Sequence, residues 1–404
     1  MELHPTLSAM RRNKVGAIVI VVQTAITLAI LCNSLFIIQQ RLRSSERPTG
    51  LAEQDIFTMA NQWVGNPTDL AAKLRADLAA LRALPEVVDA YASNSYPLSG
   101  SGWNDAIMLE ASDAHYAADA ALYFTDEHGL ATLGLKLVAG RNFEPAEIID
   151  RNDMEGKTPA ALIVSQALAT KVFPNGDALG KSIYLTDYKQ KIPIIGIVER
   201  LQQPWISVTN KRVEYAMLQP YRYVERYSHY VVRAKPGQLE SAMKSAQKQL
   251  LAVNRGRVND KTRTMVETRQ RAYRDDRGLA VMLGVVSIVL LVVTAFGIIG
   301  VTSFWVSQRR RQIGIRRAMG ATRTAILRYF QTENLMIATA GAVLGVLLAL
   351  TLNFWMAAKF EMTRLSVGST IAAAVIVLLL GQIAVLWPAL RAASISPVVA
   401  IRNV

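Results

Sequence analysis

The chain has 404 residues, a formal net charge of +14 and a hydrophobic fraction of 51%. Its length leaves room for two or three folded units, and its single cysteine, Cys32, excludes an intrachain disulfide. No G-x-x-x-x-G-K-S/T, H-E-x-x-H, G-x-S-x-G or paired-cysteine motif occurs, and His4, His115, His128 and His229 are scattered, so P-loop ATPase, metallopeptidase and serine-hydrolase chemistry have no positive support in the sequence.

The first predicted element is Val15 to Ile38, 24 positions without Asp, Glu, Lys or Arg. A helix needs about 20 apolar residues to cross a bilayer core. The run follows Arg11, Arg12 and Lys14, as a signal peptide would, but a signal h-region spans only about 7–15 residues and ends at a small-x-small site. Here the run continues into IIQQRLR, and Leu31 precedes Cys32 where a lipoprotein cleavage site needs a small residue. The segment is expected to remain as an anchor.

The next part, roughly Gln39 to Gly278, is far longer than a loop and alternates helical and extended patterns. DLAAKLRADLAALRAL, Asp69 to Leu84, repeats Leu at helical spacing with Thr68 or Asp69 as cap. PEVVDAYAS, Pro85 to Ser93, reads as a strand. After a turn at Thr125 to Gly129, a short helix and extended chain follow in LATLGLKLVAGRNF. A helix from about Ser165 to Val172, a PNG turn at Pro174 to Gly176 and a strand near Lys181 to Leu185 come next. KIPIIGIVER, Lys191 to Arg200, is expected to pair with that strand as a hairpin. HYVVRAKPG and the helical QLESAMKSAQKQLLAVN complete a mixed α and β domain, and TRQRAYRDDRG, Thr268 to Gly278, is predicted to extend the following span outward as a rigid stem.

Three more charge-free windows follow: Leu279 to Val306, Leu335 to Ala358 and Leu365 to Leu390. The predicted fold class is therefore an integral membrane α-helical protein with four transmembrane helices and a large mixed α+β extracytoplasmic domain between the first and second. Gln23, Thr24 and Thr27 in the first span, and Gly341 with Gly345 in the third, read as helix-packing residues. No ionisable residue sits mid-span, which argues against a proton-coupled carrier.

Lys and Arg mark the cytoplasmic side. Seven of them lie between Arg309 and Arg328, three precede the first span, and Arg391 and Arg402 end the chain. The loop between the third and fourth spans has only Lys359 and Arg364, with Glu361 between them. Both termini and the Arg-rich segment are thus predicted to be cytoplasmic. The basic charge then reports topology and contact with membrane lipid, and a nucleic-acid partner is not called for.

RRRQIGIRRAMGA, Arg309 to Ala321, and the sequence after it resemble the segment following the second span in the MacB/FtsX family of ABC transporter permeases. The resemblance rests there on Ile313, Gly314, Ile315, Arg316, Arg317, Ala318, Gly320, Ala321 and Glu333. LGLKLVAGRNF, IVSQALATKVFPNGDALGKSI with IIGIVER, and the final PALRAASISPVVAIRN, with Pro388, Ala392, Pro397 and Ala400, are similar to three further parts of that family. Gln312 departs from it, standing where the family has Glu.

The resemblance implies a permease without a fused ATPase domain, divided as 1–38 (tail and first span), 39–278 (MacB-like periplasmic core domain with its stem) and 279–404 (FtsX-like permease domain). Its cytoplasmic coupling segment would be 307–332. The implied ATPase-coupling residues are Gln312, Ile313, Gly314, Ile315, Arg316, Arg317, Ala318, Met319, Gly320, Ala321 and Glu333. On a helix, Ile313, Ala318, Met319, Ile326, Leu327 and Phe330 supply a broken apolar face, while Arg316, Arg317 and Arg323 project to polar surroundings. Gly314 and Gly320 permit close backbone approach or end the first helical piece.

The chain itself would bind no cofactor, catalytic group or metal; ATP and Mg would be used by the partner ATPase subunit. Other implied partners are a second permease subunit, a periplasmic adaptor and an outer-membrane channel. The implied setting is a bacterial inner membrane. Two functions follow: an export permease for a drug, peptide or lipoprotein-like substrate, or a mechanotransmitting regulator of a periplasmic partner such as a cell-wall hydrolase.

Overall fold

The computed structural model describes residues 14–110, 116–151, 157–186, 188, 190–206, 212–360 and 365–394. His4, Arg11, Arg12, His115, Glu361, Arg364, Pro397, Ala400 and Arg402 lie outside that set. Two compact units result: one from the residues up to Arg43 together with those from Asp276 onward, the other from Ser44 to Asp275.

Helix α1 spans Lys14–Ser45. Then come β1 (Ile56–Trp63), α2 (Leu70–Arg82), β2 (Val87–Ser93), β3 (Trp103–Met108), β4 (Tyr116–Phe124), α3 (Gly129–Leu133), β5 (Leu137–Gly140), β6 (Ile149–Arg151) and β7 (Leu162–Ser165). The middle region continues with α4 (Gln166–Val172), β8 (Ser182–Leu185), β9 (Ile192–Val198), β10 (Ala216–Gln219), β11 (Tyr221–Tyr223), β12 (Tyr227–Ala234), α5 (Leu239–Val253), β13 (Arg257–Thr264) and α6 (Met265–Ala272). The chain returns to the first unit in α7 (Arg274–Gln308), α8 (Arg310–Ala318), α9 (Arg323–Phe360) and α10 (Val367–Ala393). Of these, α1, α7, α9 and α10 are long and apolar enough to cross a membrane. The architecture is the expected one: four such helices, with a mixed α and β domain between the first and second.

In the second unit, β13, β1, β12 and β2 form a four-stranded antiparallel sheet in that order. Helices α2 and α5 cover one face through Leu74, Leu78, Leu81, Ala242, Ala246 and Leu250. The i, i+4, i+7 spacing in α2 puts its leucines on one stripe, and Asp69 caps it by accepting from the Ala72 N–H at 3.0 Å. The other sheet face meets β4, β7 and β10 across a core containing Ile56, Tyr91, Tyr123, Ile163, Leu218 and Val231. The second sheet runs β5-β9-β7-β10-β4-β3-β8, and β8 also pairs with β9 in the predicted hairpin, so six of its strands close into a ring. Inside the ring sit Ile107, Phe124, Leu162, Val164, Ile183 and Met217.

Arg257 and Asp77 form a buried ion pair with both side chains at 0% exposure. Tyr230 donates to Asp77 at 2.7 Å, and the Arg257 guanidinium lies 4.2 Å from the Trp63 ring centroid.

In the first unit, Gly341 and Gly345 lie against α1. A Cβ at Gly341 would come within 2.9 Å of the Val21 carbonyl oxygen, and one at Gly345 within 2.8 Å of that of Ala25. The small residues therefore let α9 and α1 approach closely. Gln23 donates to the Val293 carbonyl at 3.1 Å, and Thr27 and Thr294 share a hydrogen bond of 2.8 Å, so these two polar residues of the first span bond across to α7. Arg41 and Asp276 pair at the other end of the same two helices.

One sequence expectation is corrected. Thr268 to Gly278 is not one unbroken stem: α6 stops at Ala272 and α7 begins at Arg274. Between them Tyr273 adopts φ -96° and ψ 13°, with its ring buried and its hydroxyl accepting from Gln202 at 3.1 Å. Burial of that ring interrupts the helix where no Gly or Pro announces a break.

Candidate functional site

The basic segment after α7 folds as a short helix between two bends. At Arg309 the backbone leaves helical geometry, with φ -94° and ψ 7°, and α8 starts at the next residue. Its far end is a Schellman turn. Ala321 N–H bonds to the Arg316 carbonyl at 3.0 Å, Gly320 N–H bonds to that of Arg317 at 3.1 Å, and Gly320 sits at φ 98°. A residue with a Cβ is disfavoured there, which is why Gly320 ends the helix. Thr322 then caps α9, its hydroxyl accepting from the Ala325 N–H at 3.2 Å.

This geometry sorts the predicted coupling residues. Ile313 and Gly314 are buried, and Ile313 packs with Trp305 and Val306 of α7, Ile326 and Phe330 of α9, and Ala389 of α10. Gln312, Ile315, Arg316, Ala318, Met319 and Gly320 are exposed, while Arg317 and Ala321 are half-buried. Ala318 and Met319 do not join the apolar face expected for them: Met319 is 76% exposed. The turn at Gly320 closes the helix there, so its last residues lie outside the packed seam.

Glu333 has a different place from the rest. It is 2% exposed on α9, and both its carboxylate oxygens accept from Arg309 Nη1, at 3.0 and 2.9 Å. Tyr329 lies 3.4 Å from the same nitrogen. The pair joins the bend before α8 to the third span across 24 residues of sequence. A charge-assisted contact of this kind is about twice as strong as a neutral one. Sequence reasoning singled out Glu333 and noticed the arginine run, yet had no signal that Arg309 is the partner, because the contact exists only once α7 and α9 pack.

What remains at the surface is strongly one-signed. Residues 307–332 contain no Asp or Glu, and Arg310, Arg311, Arg316, Arg323 and Arg328 are exposed. The Arg316 guanidinium lies 5.3 Å from the Tyr329 ring centroid, which fixes its direction. Ile315 and Met319, one turn apart, form an apolar edge among these cations. The surface can receive an acidic, partly apolar partner.

Elsewhere, among the described residues, no group of three or more His, Cys, Asp or Glu could hold a metal ion. His128 is held by Asp89 at 2.9 Å. His229 meets Tyr96 and Tyr227 edge-on at 5.1 Å; burial, with the charge of Lys261 adding to it, pushes its pKa down to about 4.

Two family models match the chain. One, described as the MacB-like periplasmic core domain, covers residues 15–250, and the other, described as FtsX-like permease C-terminal, covers residues 284–397. The macrolide export ATP-binding/permease protein MacB of Chromobacterium violaceum is 24% identical over 318 residues, covering 74% of this chain and 47% of that protein. MacB of Campylobacter jejuni is 26% identical over 320 residues, covering 72% and 47%. The chain thus spans about half the length of these curated relatives. Among solved structures, the periplasmic region of MacB from Actinobacillus actinomycetemcomitans aligns over 57% of this chain and 97% of that one, with TM-score 0.35 and 15% identity.

Proposed function

The chain belongs to the family of ABC-transporter permeases that carry a MacB-like periplasmic core domain and an FtsX-like permease region, and from that membership we propose that it is the membrane-spanning subunit of an export complex driven by a separate ATPase. The observation that carries this reading is the α8 surface: an exposed, acid-free arginine face with Ile315 and Met319 at its edge, braced from behind by the Arg309–Glu333 pair. Such a face favours an acidic partner and accelerates its encounter.

In this reading residues 307–332 are the coupling segment and face the cytoplasm with both termini. Residues 39–278 form the extracytoplasmic domain and 279–404 the permease domain, in a bacterial inner membrane. Two such permease subunits work with two ATPase subunits, which use ATP and Mg; the chain itself binds neither. The ATPase pushes on α8, and Arg309 passes that displacement to α9 through Glu333 and to α7 through the backbone. The cargo is a drug, peptide or lipoprotein-like molecule handled on the extracytoplasmic side, with a periplasmic adaptor and outer-membrane channel as further partners.

The test is co-purification of the full chain with a candidate ABC ATPase from the same cell, followed by ATPase assays in lipid discs. Wild-type chain retains the ATPase and alters its turnover, whereas Arg316→Glu with Arg317→Glu loses both. Retention and coupling unchanged in that double variant would remove α8 as the docking site. ATP turnover that responds to the permease in vesicles through which no cargo passes favours the regulator of a periplasmic partner instead.

A further inference from the structure

The extracytoplasmic domain contains a cavity of about 250 Å³ that the reading above leaves without a role. Its apolar wall is Tyr96, Leu98, Pro204 and Ile206, and its charged side is Arg263 of β13 and Arg271 of α6. Among the described residues no Asp or Glu lines it, and neither guanidinium has an acidic partner.

The wall is preformed. Ser95 and Ser99 hydroxyls lie 2.9 Å apart, Ser99 donates to the Ser101 carbonyl at 2.6 Å, and Gly100 N–H reaches the Pro204 carbonyl at 3.0 Å. These bonds hold Leu98 at φ 64°, in the left-handed region that bulky residues avoid, with its side chain buried against the cavity. Strain of this kind persists where surrounding contacts over-determine it and recurs at ligand clamps. A rigid apolar wall facing two arginines is complementary to one chemistry: an anion with a forked acceptor on an apolar body. At this volume, below the usual range for drug-sized ligands, the cavity accommodates a compact molecule or the end of a longer one.

We propose that this cavity binds a small amphipathic anion, a carboxylate or phosphate ester carried on an apolar group, as the recognised part of the substrate. The substrate role rests on the export reading; the binding does not. Thr268, Arg271 and Ala272 of the cavity lie on α6, which leads through Tyr273 directly into the second span, so occupancy touches the helix before the membrane crossing.

The experiment uses the full chain in discs of phosphatidylcholine, without the ATPase, and measures binding by ligand-observed saturation-transfer NMR and calorimetry. The probes are N-acetylphenylalaninate, phenyl phosphate and the neutral N-acetylphenylalaninamide. Binding of either anion but not the amide is expected, and the stronger anion identifies the headgroup. Arg263→Gln or Arg271→Gln should each weaken binding by roughly tenfold or more, as loss of a charged hydrogen bond predicts, and the double lysine variant should retain part of the affinity. Equal binding of the amide to the wild-type chain, or affinity unmoved by both glutamine variants, overturns the site without touching ATPase coupling. Binding that holds while no ATPase associates leaves the site standing and removes the export reading.

Discussion

Two arginine–carboxylate pairs in this molecule have the same chemistry and different surroundings. Arg257 and Asp77, in the extracytoplasmic domain, are fully buried, and each has further partners: Tyr230 on the acid, the Trp63 ring and the Asn254 carbonyl on the base. Arg309 and Glu333 sit at a helix bend, with Arg309 14% exposed, Tyr329 at 3.4 Å and the Trp305 ring centroid 5.9 Å from the guanidinium. Packing on every side makes the first pair a fixed part of a core. The second joins two helices and keeps one edge open, so it can transmit a displacement that the first would resist.

The comparison is most easily broken at Asp77. Asp77→Ala leaves Arg257 buried without its counter-charge and should lower stability by about 3–5 kcal/mol, read from thermal unfolding of the purified chain. A loss under about 1 kcal/mol would mean that Arg257 finds water and that the pair is not a core element.

Acid is the next largest lever, and it acts on the same domain. His229 has a folded pKa of about 4 against an unfolded value near 6.5. The unfolded state therefore takes up the proton first, and stability contributed by the neutral ring is lost as pH falls from about 6.5 to about 4, in total on the order of 3 kcal/mol. His229→Asn should flatten that slope; an unchanged slope assigns the acid sensitivity to other groups.

Glu333→Gln sharpens the other half of the comparison. It keeps an acceptor for Arg309, so stability should fall by only about 1–2 kcal/mol, while stimulation of the partner ATPase is lost and co-purification survives. The swap Arg309→Glu with Glu333→Arg should recover stimulation in part. If Glu333→Gln proves as destabilising as Asp77→Ala, the two pairs serve the same purpose.

The smallest effect concerns Gln312, the departure from the family pattern. It is the third residue of α8, in a first turn that holds two arginines and no acid. A carboxylate there would complement the helix N-terminus, so Gln312→Glu should stabilise α8 by about 0.3–1 kcal/mol, visible as slower amide exchange at residues 313–318. The exposed side chain makes no contact that requires glutamine, so tighter or weaker ATPase binding in this variant would show that the position reads the partner.

The spans were legible because crossing a bilayer demands a long charge-free run, a local property of sequence. Helix α2 and the β8–β9 hairpin were legible for a similar reason: leucine spacing and turn residues are short-range signals. Closure of the ring was not, since β10 pairs in parallel with β4, about a hundred residues earlier, and no local pattern encodes that. β13, RVNDKTRT, was missed because it lies at the edge of its sheet and lacks the apolar alternation of a half-buried strand. The break at Tyr273 was missed because it follows from burying one ring. In the basic segment after α7 the sequence singled out residues but not their sorting into buried and exposed, which depends on the Gly320 turn and on Arg309 reaching Glu333.

The polar character of β13 bears on what happens when many copies crowd a membrane. An exposed sheet edge is a template on which another chain can add a strand, the first step of aggregation. Here that edge carries Lys261 and Arg263, and its pairing with β1 shifts register between Thr58 and Ala60. Like charges brought edge to edge repel, and the shift spoils a continuous ladder. Neighbouring domains can therefore meet repeatedly through side chains, separate again, and stay soluble while they do so.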